Sequence, residues 1–227
     1  MLTKTTISAI IFDMDGLMFD TERLAIRAWQ QAGKEHGFEL PEPLILECVG
    51  RPVQSTQAHL ETVLGPGFDF NTVRRRRVEI AEEVFARDGV PIKEGLYELL
   101  DLLNNQPIGK AVATSTERSR AESMLRRATV FDHFDVVVCG DEVEHGKPAP
   151  DIFLLAAERL GAEPTQCIVL EDSDPGIQAA AAAGMIPILV PDIRPPSTES
   201  LKIAFNTFEN LNHVADYFGG IFQMENL

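Results

Sequence analysis

Ser8-Ala9-Ile10-Ile11-Phe12-Asp13-Met14-Asp15-Gly16 is the stretch on which the reading of this chain turns. Four apolar residues in a row, entered from Ser8, are too few for a globular helix and fit a strand buried on both faces. Two acids follow where that strand should end, and Gly16 lets the chain turn sharply. Alternation along the strand end turns Asp13 and Asp15 to one side and Met14 to the other. In open α/β sheets ligands sit outside the carboxyl ends of the strands, so chemistry is expected at these two acids. Asp-x-Asp taken alone is equally a turn or a helix cap. The flanking chain decides between them.

Outward from this stretch, Phe19-Asp20-Thr21-Glu22 reads as a helix start with Asp20 as its N-cap. From there to about Asp88 no strand pattern occurs. One helix runs to about His36 with Leu24, Ala28, Gln31 and Ala32 on one side, and others cover 41–48, 53–64 and 71–87. Gly65-Pro66-Gly67 separates the third from the fourth. Arg74-Arg75-Arg76-Arg77 points around most of a helix circumference, which describes a solvated surface better than a nucleic-acid patch.

Then the pattern switches. Strands at 110–113, 136–139, 167–170 and 187–190 alternate with helices at 95–103, 118–128, 151–160 and 176–183. Such alternation predicts βαβ units and a parallel sheet. The expected organisation is an α/β core of residues 1–19 and 91–227, with residues 20–90 inserted as a helical cap domain.

Composition narrows the class further. The 227 residues carry a formal charge of −15, with 44% apolar and 24% charged residues, an ordinary make-up for a folded domain. That charge argues against nucleic acid or an anionic membrane as partner, though local cations or a metal still permit a small anionic substrate. Cys48, Cys139 and Cys167 are far apart and odd in number, and read as reduced rather than as a disulfide set or a metal-thiolate site. No apolar stretch reaches membrane length. The expectation is a cytoplasmic protein, monomeric or weakly dimeric.

The later strand ends each present polar groups. Strand two ends in Val112-Ala113-Thr114-Ser115-Thr116, hydroxyls and backbone N–H groups at a helix start, where a phosphate can be seated. A plain capped helix explains the same residues. After strand three comes His145-Gly146-Lys147-Pro148, a lysine between a flexible and a stiff residue. Strand four ends in Leu170-Glu171-Asp172-Ser173, and two acids pointing towards another acid pair suit a hard cation such as magnesium.

In this order and spacing, Asp13-Met14-Asp15-Gly16, Thr114-Ser115, Lys147-Pro148 and Glu171-Asp172-Ser173 resemble the haloacid dehalogenase superfamily over essentially the whole chain. Phe12-Asp13-Met14-Asp15-Gly16-Leu17, with a helical block just after it, is similar to the β-phosphoglucomutase-like branch. The resemblance implies a Rossmann-like core with sheet order 5-4-1-2-3 and a magnesium-dependent phosphatase acting on a small phosphomonoester, a sugar phosphate or nucleotide-like compound. It implies Asp13 as nucleophile and Asp15 as general acid and base. Magnesium would be held by Asp13, the Asp15 carbonyl and Asp172, with Glu171 direct or through water. Thr114 and the Ser115 N–H would hold the phosphoryl oxygens, and Lys147 would neutralise charge. Arg51, in the turn Gly50-Arg51-Pro52, is the expected cap contact, and Thr116, Glu117 and Arg118 are further substrate candidates.

The resemblance also supplies alternatives. Dehalogenases and phosphonatases lack the second acid, so Asp15 favours phosphoryl transfer. Sugar-phosphate mutases carry a histidine on the first cap helix and a lysine and arginine in the cap turn, where this chain has Ala25, Val49 and Val53. Segments 20–24 and 145–148 are similar to those of pseudouridine-5′-phosphate phosphatases. A non-catalytic phosphate-binding module would be expected to have lost the acids, which are intact here.

Overall fold

The computed structural model describes residues 7–49 and 53–224. The chain divides into two compact units, Asp20–Pro91 and the remainder, Met1–Phe19 with Ile92–Leu227.

The larger unit is built on a six-stranded parallel sheet. Its strands are β1 (Ala9–Phe12), β2 (Gly109–Thr114), β3 (Val136–Cys139), β4 (Cys167–Glu171), β5 (Ile186–Leu189) and β6 (Asn206–Thr207), in the order β3-β2-β1-β4-β5-β6. Read from the other edge this is 5-4-1-2-3, with β6 added beyond β5. The strand β1 is central, which explains its unbroken apolar run: all four residues are fully buried. Register sets the site. Phe12 pairs with Val112 on one side and Leu170 on the other, and the Asp13 N–H continues the ladder onto Leu170 O at 3.0 Å. The strand order reverses at β1, so the crevice beside its end is the expected ligand position.

Helices cover both faces. Helices α7 (Asp151–Leu160) and α8 (Asp174–Ala182) press Phe153, Ala156, Ala179 and Ala180 onto Ala9, Ile11, Ala111 and Val169. Small alanines let the helices approach the sheet closely: Ala179, Ala180 and Ala183 are buried against it, while Ala181 and Ala182 are exposed. On the opposite face Phe12 meets Phe134 edge-on, with ring centroids 5.4 Å apart. Helix α5 (Leu96–Asn104) packs with the last helix, α10 (Leu211–Met224). That helix, α9 (Thr198–Ile203) and β6 follow the final strand expected from the sequence, in a segment where Ser, Thr and Asn interrupt the apolar pattern. Cys139 and Cys167 are free and buried, and burial pushes both thiols up to about 11.

The smaller unit holds α1 (Thr21–Glu35), α2 (Glu42–Leu46), α3 (Val53–Leu64) and α4 (Phe70–Asp88). Its core joins α1 to α4 through Trp29 on Phe70, and Phe38 meets Phe68 nearby. Asp69 caps α4 by accepting from the Thr72 N–H and hydroxyl. Asp20 behaves otherwise. It occupies the N-cap position of α1, but its side chain makes no capping bond and accepts instead from Arg23 at 3.0 Å. Of the arginine run, Arg76 binds Glu35, Glu79 and Glu83, tying α4 to α1. Among the described residues no helix is long and apolar enough to cross a membrane.

Candidate active site

Asp13, Asp15, Thr114, Thr116, Lys147, Glu171 and Asp172 converge at the carboxyl ends of β1, β2 and β4. Asp13 follows β1 directly and is nearly buried. The chain then closes a tight turn: Met18 N–H and Phe19 N–H both donate to Met14 O, and Gly16 N–H donates to Phe19 O. Gly16 is required here twice over. Its φ is +90°, and a Cβ would lie 2.2 Å from Asp172 Oδ2.

The Lys147 ammonium is the hub. It donates to Asp13 Oδ1, to Glu171 Oε1 at 2.7 Å and to the Ala113 carbonyl at 3.2 Å, so all three of its protons are used. Its side chain is 7% exposed, which makes this a buried ion cluster and not a surface pair. Glu171, fully buried, gives its other oxygen to the Ser173 N–H (2.9 Å) and hydroxyl (2.8 Å). Both carboxylate oxygens of Glu171 thus accept from the protein. Space for this carboxylate comes from Gly176, where a Cβ would sit 1.7 Å from Glu171 Oε1.

Electrostatics follows from this packing. Burial, helped by the Glu171 and Asp15 charges, outweighs the pull of Lys147 and raises the Asp13 carboxyl to about 8. Burial also works against the Lys147 charge, but Asp13 and Glu171 outweigh it and hold the ammonium above the usual lysine range. Carboxylate oxygens of Asp13, Glu171 and Asp172 lie within 4.8 Å of one another. The three carboxyl groups offer oxygen donors alone, and that donor set fits a hard divalent cation.

At the end of β2, Thr114 is buried and its Oγ accepts from the Thr116 N–H at 3.1 Å, which leaves its hydroxyl proton to donate elsewhere. Thr116 donates its own hydroxyl to Asp15 Oδ2 at 2.7 Å. Thr116 therefore touches Asp15, a contact that its place in the sequence beyond the phosphate seat did not reveal. Ser115 is exposed between them. Arg118 is committed elsewhere: its guanidinium binds Glu122, Glu142 and the Val137 carbonyl, so it secures α6 (Arg118–Arg127) to β3. Arg51 lies outside the described residues. Sequence reasoning missed the hold of Ser173 on Glu171; the only signal was its position between an acid pair and Gly176.

A buried carboxylate, a lysine hub and an acid triad thus meet at the switch point of a parallel sheet, where open α/β folds receive their ligands. The family model of haloacid dehalogenase-like hydrolases matches residues 10–190, and the chain belongs to that family. It is 35% identical to a fructose-1-phosphate phosphatase of Escherichia coli (strain K12), over 78% of this chain and 93% of that one. It is 36% identical to a phosphorylated carbohydrates phosphatase of Thermotoga maritima, over 78% and 82%. Among solved structures, a Thermotoga maritima protein described as a candidate β-phosphoglucomutase superposes with a TM-score of 0.81 at 30% identity, covering 95% of this chain and all of that one.

Proposed function

We propose that this chain is a magnesium-dependent phosphatase of small phosphorylated carbohydrates that works through an aspartyl-phosphate on Asp13. The observation that carries the reading is the buried Asp13–Lys147–Glu171 cluster with Asp172 beside it. Curated relatives that cover most of their own length in the match hydrolyse sugar phosphates by name, which supports the substrate class.

Asp13 Oδ2 attacks phosphorus as the bond to the leaving oxygen breaks, and Asp15 delivers a proton to that oxygen. Asp15, now a carboxylate, takes a proton from water, whose oxygen attacks the aspartyl-phosphate. The Asp13–phosphorus bond breaks, and phosphate and the starting carboxylate are released. Thr116 orients Asp15 through its 2.7 Å bond. Thr114 and the Ser115 N–H receive the phosphoryl oxygens. Lys147 holds Asp13 in place and offsets the growing charge, and Glu171, gripped by Ser173, keeps Lys147 aimed. Asp13, the Asp15 carbonyl and Asp172 would hold magnesium, with Glu171 behind them. When bound, the ion supplies charge neutralisation between an anionic nucleophile and an anionic substrate.

The mutase reading draws on the structural likeness. Against it, Ala25 in α1 offers no imidazole. Activity measured with and without magnesium on fructose 1-phosphate, an aryl phosphate and β-glucose 1-phosphate tests both. Phosphate release is expected to exceed glucose 6-phosphate formation; isomer formation several-fold faster than phosphate release overturns the phosphatase reading. The D13N variant is expected to abolish turnover with the fold intact.

A further inference from the structure

Lys93 and Asp192 form a second, part-buried ion pair that the reaction described above does not use. Lys93 Nζ lies 2.5 Å from Asp192 Oδ1, and the two side chains are 19% and 1% exposed. Both ends are fixed by backbone bonds to the segments that bear the acids. The Lys93 N–H donates to Met18 O at 2.9 Å, in the turn that follows Asp13. Asp192 lies two residues beyond Val190, whose N–H donates to Glu171 O at 2.7 Å. This registry brings carboxylate oxygens of Asp192 and Asp172 within 4.8 Å of each other.

Two carboxylates at that distance in a sparsely hydrated place repel unless cations stand beside them. Lys93 answers for Asp192. Asp172 is aimed over Gly16 towards Asp13 and Glu171. The geometry points to Lys93 and Asp192 as a positioning pair that sets the field on the cation held by Asp172: Asp192 deepens the negative potential and Lys93 moderates it. The inference rests on the proposal that Asp172 is a metal ligand. A scaffold role alone predicts that removal of either partner loosens the site. A field-setting role predicts opposite signs for the two removals.

The test is Mn2+ binding to the protein without substrate, followed by electron paramagnetic resonance of the free ion, with melting temperature as the check on folding. D192N is expected to weaken binding about tenfold, the usual scale for groups behind metal ligands. K93M is expected to tighten it roughly threefold, because it removes a positive charge from beside Asp192 and Asp172. K93R should stay within about twofold of wild type, since the charge is kept. Should K93M fail to fold, the K93M/D192N double variant, which leaves the net charge unchanged, is expected to bind more tightly than D192N alone. D172A serves as reference. If D172A weakens binding while D192N and K93M both weaken it equally, or neither moves it, the pair is a scaffold and the inference falls while the metal assignment stands. If D172A leaves binding unchanged, the metal assignment falls and takes the inference with it.

Discussion

The two units of this chain handle charge in opposite ways. In the α/β unit Asp13 and Glu171 are buried, and Lys147 is buried with them. In the helical unit the buried polar side chains among the described residues are the uncharged Thr21 and Thr56, and the main ion cluster, Arg76 with Glu35, Glu79 and Glu83, sits at the surface. Burying an ion pair is costly to a fold and hydrophobic replacements often do better, so a buried cluster persists where something other than stability requires it. Surface clusters face no such penalty and contribute little. Chemistry is therefore to be sought where charge is buried against its own preference.

The sharpest way to break this contrast is K147M. Removing the ammonium leaves Asp13 and Glu171 facing each other without compensation, and the expected cost is about 3–5 kcal/mol of stability together with loss of turnover. Urea unfolding beside an aryl phosphate assay reads both; a stable and active K147M protein would dissolve the comparison. Next in size is D15N, which keeps shape and hydrogen-bonding capacity but cannot move a proton. The turnover number is expected to fall roughly 10²–10⁴-fold with the melting temperature preserved. A loss confined to KM would place Asp15 in binding instead. At the small end, R76A should leave turnover unchanged and the melting temperature close to wild type, because its partners are solvated. A large loss in R76A would mean that surface charge matters as much as buried charge here.

Much of this was legible in the chain itself, for physical reasons. A strand buried on both faces must be apolar throughout, so Ala9–Phe12 announced the central strand, and acids placed directly after it had to lie at its end. Thr114 and Glu171 stood at strand ends and Lys147 after one, but a capped helix or a surface lysine explained two of them as well, and only the resemblance across all four motifs joined them into a site. What stayed hidden depends on contacts between segments distant in sequence. Nothing local says that Thr116 reaches Asp15, 101 residues away, or that Lys93 reaches Asp192, 99 residues away. Asp20 marked the start of α1 correctly, but its side chain accepts from Arg23 and makes no capping bond, which local sequence does not show. The last strand escaped notice because β6 has only two residues, Asn206 and Thr207, too few to show a period.

The most direct test of the account is to catch phosphate on the protein. The enzyme is mixed with magnesium and a fast phosphoryl donor, quenched in acid within a turnover, digested and analysed by mass spectrometry. The expected result is an acid-stable, base-labile phosphoryl group on the peptide containing Asp13, absent when magnesium is withheld and absent in D13N. Turnover with no phosphorylated peptide, or a phosphoryl group on a residue other than Asp13, would contradict it.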